Sequence, residues 1–309
     1  MSGELIALLT TLCWSLGIFP FTEATKRIGA GPINQYRLLL AWLIISVILF
    51  ISNSITITQL FTNPRLYQYV FLGLSGIIGF TIGDYCAFTS FKLLGPKLGS
   101  LYTTFAPGAA LIVGFIVLGE TVNLIGIAGI IITVGGVIWL TLSKKDRAAA
   151  ELAGFSRDKK GIAYGIIGAL CQGTGLVLSK LGMDYYAEKL PTMHAVWIRL
   201  MFAFTAAFFA SLFLKRLIQN SKPIFRNENN GIPYMVMGTL LGPVAGVTLS
   251  LLAIQKLEVA VAQTIFALLP IVVLPVNFFV YKEKITAQSI LACLVAIVGV
   301  FLLIWRNRF

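Results

Sequence analysis

Asp84 is the one acid that falls well inside an apolar run of this chain, about eight residues, or ~12 Å of helix, from the run's end. A carboxylate at that depth is costly unless it is paired or protonated. It therefore marks a group that binds substrate or carries a proton, or else one half of a buried ion pair. Arg37 is the partner for the second reading, since it enters from the same side and its long stem can snorkel toward Asp84. Glu120 and Glu283 close apolar runs beside Thr121 and Lys284, where a carboxylate caps the following helix or ties down a loop. Pro107 and Pro270 stand near the first third of their runs. A proline there frees a carbonyl and permits a bend, and broken helices often border binding sites in membrane proteins.

Other chemistries lack their tools. His194 is the only histidine, which removes His-based metal sites and catalytic triads. Cys13, Cys86, Cys171 and Cys293 sit inside apolar runs without C-x-x-C spacing and read as small packing residues. There is no Asp-rich metal motif, no His-Glu-x-x-His and no phosphate-binding glycine loop. The expectation is a protein that is not an enzyme, needs no cofactor or metal, and does not use ATP directly.

The elements that must hold these residues follow from composition. Of 309 residues 58% are hydrophobic and 12% charged, and the mean hydropathy is +0.89. An ordinary soluble domain carries about 25% charged residues, so polar surface is too scarce to cover a water-soluble globule. The apolar runs approach 20 residues, which favours helices over barrel strands. An integral, multi-pass protein of the cell's inner or plasma membrane is expected, with the lipid bilayer and a small molecule as partners. Its net charge of +12 forms no basic stripe with interleaved aromatics, so nucleic acid is not an expected partner. Met1–Glu4 has no basic region before the first run, which reads as a retained span rather than a signal peptide.

Ten spans result: Leu5–Phe21, Ile33–Ile51, Tyr67–Phe91, Leu98–Leu118, Leu124–Leu142, Gly161–Leu181, Thr192–Leu214, Ile232–Ile254, Val259–Tyr281 and Ala287–Trp305. The chain also repeats itself. A shift of 163 residues pairs Ser75, Gly79, Gly83 and Ala87 with Gly238, Gly242, Gly246 and Ser250, and pairs Pro107 with Pro270 and Glu120 with Glu283. A shift of 162 pairs Arg37-Leu38 with Arg199-Leu200. Five spans per half is an odd number, so the halves must enter the membrane in opposite senses. The expected fold is all-α, with ten transmembrane helices as two inverted five-helix repeats: residues 1–145, a charged linker at 146–160, and residues 161–309. Two such halves can rock about a site between them. Small residues every fourth position, as at Ser75, Gly79, Gly83 and Ala87, let helix backbones approach closely.

The chain resembles the drug/metabolite transporter superfamily, and within it the EamA-type ten-helix transporters. The resemblance rests on the two five-helix halves, the Arg-Leu pairs, and the spacing from Pro107 to Glu120 ("PGAALIVGFIVLGE") and from Pro270 to Glu283 ("PIVVLPVNFFVYKE"). Gly83-Asp84-Tyr85 followed by "AFTSFKLLG" adds to it. It implies transport of small metabolites through a central cavity lined by the first, third, fourth, sixth, eighth and ninth helices. On those helices Trp14, Asp84, Tyr85, Tyr102, Thr103, Gln172, Thr248, Gln263 and Thr264 are the candidate substrate-binding residues. Arg37, Arg199, Pro107, Pro270, Glu120 and Glu283 are candidates for structural or gating roles.

The leading expectation is a secondary exporter of small polar metabolites such as amino acids. A multidrug or lipid-phosphate translocator would need a larger, greasier cavity or a basic pocket, for which Arg37 and Arg199 are the basic candidates. A membrane scaffold is the reading outside transport. The odd-numbered loops hold 16 Lys and Arg residues against 6 in the even loops and termini, which places both termini outside the cell.

Overall fold

The computed structural model describes residues 1–52, 56–141, 159–184, 189–281 and 287–306, and among them the regular structure is helical. Helix α1 (Gly3–Ile28) starts at Ser2, whose side chain accepts the Leu5 N–H, and ends with Lys26 and Arg27 near its exposed carbonyls. It meets α2 (Ala30–Ile51) at Gly29, where a φ of 108° makes a turn that a side chain would oppose. A short α3 (Ile57–Thr62) leads into α4 (Leu66–Gly76), a π-helical segment over Ile77–Gly83, and α5 (Asp84–Leu101), which is kinked at Gly95. After a 3-10 turn at Tyr102–Phe105 come α6 (Ala106–Leu118) and α7 (Leu124–Thr141).

The second part of the chain begins with α8 (Lys159–Asp184) and α9 (Thr192–Phe213), followed by the short α10 (Leu217–Phe225). Then come α11 (Ile232–Thr239), a second π-helical segment over Leu240–Gly246, and α12 (Val247–Ile254). Helices α13 (Val259–Phe266), α14 (Leu269–Tyr281) and α15 (Ala287–Ile304) complete it. The charged linker expected over residues 146–160 lies outside the described residues as far as residue 158.

Six stretches are long and apolar enough to cross a membrane: Gly3–Ile28, Ala30–Ile51, Leu66–Gly95, Lys159–Met183, Thr192–Phe213 and Glu228–Ile254. Four shorter apolar ones are Tyr102–Leu118, Leu124–Trp139, Val259–Pro275 and Ile290–Ile304. Their outer faces are strongly apolar, with Val47 and Phe50 on α2, Ile112, Phe115 and Ile116 on α6, and Ile297, Val298 and Phe301 on α15 exposed. In water such a belt would be one large sticky patch, whereas in a bilayer it is ordinary solvent contact. The protein is an integral, multi-pass, all-α membrane protein.

Within the bundle, glycine faces bring backbones together. The first π segment lies on α8: a methyl on Gly175 would stand 3.1 Å from the Gly79 Cα, and one on Gly168 would stand 3.0 Å from the Gly83 carbonyl oxygen. The second lies on α1, where Gly242 faces Phe21 and Gly246 faces Trp14. Helices α7 and α15 meet in the same way, with Gly136 against the backbone of Ala296 and Gly129 against that of Gly299.

The interruptions fall at matched places. The 163-residue shift carries Ile77–Gly83 onto Leu240–Gly246, and Phe105 onto Leu268. The continuous spans expected over Leu98–Leu118 and Val259–Tyr281 are therefore both broken. Pro107 and Pro270 do not bend a running helix. Each is the second residue of the piece after the break, where a missing N–H costs nothing.

Candidate functional site

Asp84 is the first residue of α5, and its backbone N–H closes the π turn on the Gly79 carbonyl. The wide turn leaves carbonyls for other helices. Gln172 of α8 donates to the Gly79 oxygen at 3.3 Å, and Asn34 of α2 donates to the Thr81 oxygen at 3.0 Å. The same two side chains hold the charges. Gln172 Nε2 donates to Asp84 Oδ1, Arg37 Nη2 donates to Asp84 Oδ2, and Arg37 Nη2 also reaches Asn34 Oδ1 at 2.9 Å. The Arg37 guanidinium lies over the rings of Phe88 and Phe21, with Cζ at 4.8 and 5.6 Å from their centroids. Arg37 is 2% exposed, while the Asp84 side chain keeps 15%. In the structure Asp84 is thus paired with Arg37, and Gln172 is the third member of the cluster.

This cluster forms one wall of a cavity of about 970 Å³, counting its open mouth. Gln263, whose Nε2 donates to the Gln172 carbonyl at 3.3 Å, and Thr103 complete the polar part. The remainder is aromatic or small. Trp14 stands edge-on to Phe266 with centroids 5.0 Å apart, Phe21 lies 4.9 Å from Phe88, and Phe80 and Phe91 extend the surface. Gly17, Gly242 and Pro243 also line it.

Arg199 lies behind Phe80, on α9. It is 2% exposed, its Nε donates to Ser75 Oγ at 3.0 Å, and its Cζ sits 4.4 Å from the centroid of the Phe80 ring. Its Nη1 has no hydrogen-bond partner.

The structure therefore brings Trp14, Asp84, Thr103, Gln172, Gln263 and Arg37 to one cavity. The other candidates stand elsewhere. Tyr85 faces the ring of Tyr164, and Tyr102 packs its ring on Gly165. Thr248 and Thr264 turn back to the carbonyls of Val244 and Ala260 one turn earlier, at 2.6 and 2.8 Å. Pro107 and Pro270 lie beyond the lining, and Glu283 is outside the described residues.

Glu120 has a different duty from capping the next helix, which Asn123 caps by accepting the Gly126 N–H at 2.9 Å. Glu120 pairs with Lys180 at 2.6 Å and accepts the Val259 N–H at 2.8 Å, joining the α6–α7 turn to α8 and to the start of α13. Residues missed by sequence reasoning are Asn34 and the phenylalanines of the wall.

Among the described residues no group of three or more His, Cys, Asp or Glu side chains is placed to hold a metal. The chemistry on offer is binding: a charged and amide-bearing patch facing an aromatic surface.

The chain is 42% identical over 73 residues to the multidrug resistance protein EbrB of Bacillus subtilis (strain 168), a match that takes in 22% of this chain and 62% of that relative. A crystal structure of a protein superposes with a TM-score of 0.69, covering 99% of this chain and 97% of the other at 13% identity, a likeness of fold alone. The model of the EamA-like transporter family matches residues 1–142 and 159–305. With nearly its whole length so matched, the chain belongs to the EamA-like transporter family, whose members are membrane transporters and not enzymes.

Proposed function

We propose that the protein is a secondary transporter working by alternating access, and that its cargo is amphipathic in the manner of multidrug transport. The observation that carries this reading is the cavity wall: Trp14 and five phenylalanines surround one acid–arginine–amide patch. Such a wall suits molecules with an apolar or aromatic body. Kinship with a multidrug resistance protein points the same way. Export of amino acids, the narrower reading, calls for a free acid and a free base to hold a zwitterion, whereas Asp84 and Arg37 hold each other.

In this proposal the ten apolar helical stretches are ten spans in two inverted halves, residues 1–145 and 161–309, joined by the charged linker. Matched π segments, matched breaks and family matches on both sides of the linker support it. The excess of Lys and Arg in the odd loops argues for both termini outside.

Flux into liposomes containing the purified protein tests the cargo, with an amphipathic aromatic probe run against radiolabelled leucine and serine, with and without a pH gradient. Protein-dependent flux of the aromatic probe is expected. Flux of the amino acids alone would overturn the multidrug reading, and no flux of any compound would overturn transport through this cavity.

A further inference from the structure

We infer that the cargo carries one acidic group, which Arg37 takes while Asp84 passes from Arg37 to Arg199. The inference rests on the transport reading above and names the charge of what the cavity accepts.

Its basis is an imbalance. Among the described residues, Arg37 and Arg199 are both 2% exposed, and of the two it is Arg37 that stands in ion-pair contact with a carboxylate, that of Asp84. Arg37 has its Nε unpartnered and Arg199 its Nη1. The repeat explains how this arose. Arg37 and Arg199 occupy equivalent positions, whereas the equivalent of Asp84 is Val247. Each half supplies a cation, but only one supplies an acid. A buried cation without a counterion is costly in a membrane interior, so a site one negative charge short will favour a ligand that brings it.

The geometry says where that charge would go. Arg37 lines the cavity and Arg199 does not, because Phe80 stands between Arg199 and the open space. An incoming anion therefore meets Arg37. The displaced carboxylate is next to the turn that abuts Arg199: Gln172 Nε2 bridges Asp84 Oδ1 and the Gly79 carbonyl. A methyl on Gly79 would lie 3.7 Å from Arg199 Nη2, so at Gly79 the turn presents bare backbone to that guanidinium. With Asp84 on Arg199 and the ligand on Arg37, both guanidiniums are paired. A cationic ligand taken by Asp84 would instead leave both unpaired, and a neutral ligand would leave the imbalance as it stands. Binding of an anion and repositioning of the α5 start become one event, which is the coupling that alternating access needs.

The full-length protein in detergent is titrated with two permanently charged probes of the same aromatic body, 2-naphthalenesulfonate and 2-naphthyltrimethylammonium. The sulfonate is expected to bind at least tenfold more tightly, and Arg37→Gln to erase that preference. Arg199→Gln should weaken the sulfonate although it does not touch it, and this effect should vanish in an Asp84→Asn background, where no carboxylate needs a new partner. A merely structural role of Arg199 would persist there and would contradict the exchange. Asp84→Asn should bind the sulfonate more tightly than the wild type does. If that variant folds poorly, its recovery in the presence of sulfonate and not of the ammonium is the expected result, and any other pattern of recovery overturns the inference. Equal or tighter binding of the ammonium by the wild type overturns the inference and leaves the amphipathic reading standing. Binding of neither probe removes both.

Discussion

The stretches Leu66–Gly95 and Ile232–Ile254 are built alike and charged differently. Each runs through a seven-residue π segment closed by a glycine, Gly83 in one and Gly246 in the other, and each lays glycines on a neighbouring helix. After the turn the first presents Asp84 and the second Val247, both at the cavity wall. The π turn and the close packing belong to the fold, since both stretches have them. The acid does not, since one stretch manages without it. That difference separates the features both stretches need for packing from the one that packing does not require.

The largest effect should come from making the two stretches alike in charge. Asp84→Asn strands the Arg37 guanidinium, and breaking a buried pair in this way typically costs about 3–5 kcal/mol, to be read from thermal or denaturant unfolding. Val247→Asn, at the matched position, adds a buried amide without stranding a charge and should cost about 1–3 kcal/mol. Equal losses at the two positions would break the comparison.

The next effect is steric. A methyl on Gly76 runs into the backbone carbonyl of Arg199, which belongs to a helix and has nowhere to go. Gly76→Ala should therefore cost about 1–3 kcal/mol of stability in the same measurement.

Gly83→Leu and Gly246→Leu sharpen the contrast further. Each should cost about 1–3 kcal/mol of packing. Gly83 meets Cys171 and the α8 backbone, so its variant should lose stability and flux together. Gly246 meets the ring of Trp14 in the cavity wall, so flux should fall further than stability. At Gly108 a methyl would find nothing within 4 Å. Ala there should cause no loss and gain at most about 0.5–1 kcal/mol from helix propensity.

Much of this was legible from residue types. Asp84 and Arg37 stood out because a charge in an apolar run needs a partner, and Glu120 because a carboxylate at a helix end finds a donor. The helix in which that donor lies could not be read, because Val259 is 139 residues away. The aromatic wall escaped for a physical reason. In a chain surrounded by lipid, both the outer and the inner face of a helix are apolar, so Phe80 toward the cavity and Phe115 toward lipid carry the same signal. Threonines misled because their hydroxyls are satisfied within their own helix, as at Thr248 and Thr264. Of the π segments, only Pro243 left a mark, since a proline removes one helical hydrogen bond; Ile77–Gly83 has no such residue.

The central claim is that the charge pair serves cargo rather than packing, and the double variant Arg37→Gln with Asp84→Asn tests it most directly. Both charges of the pair are removed together, so the Arg37 cation is not stranded and unfolding should recover most of the stability that Asp84→Asn alone loses. Flux of the aromatic probe in liposomes, measured on the same protein, should then be lost although the fold is kept. Wild-type flux from that folded double variant would contradict the account and leave the pair a packing device.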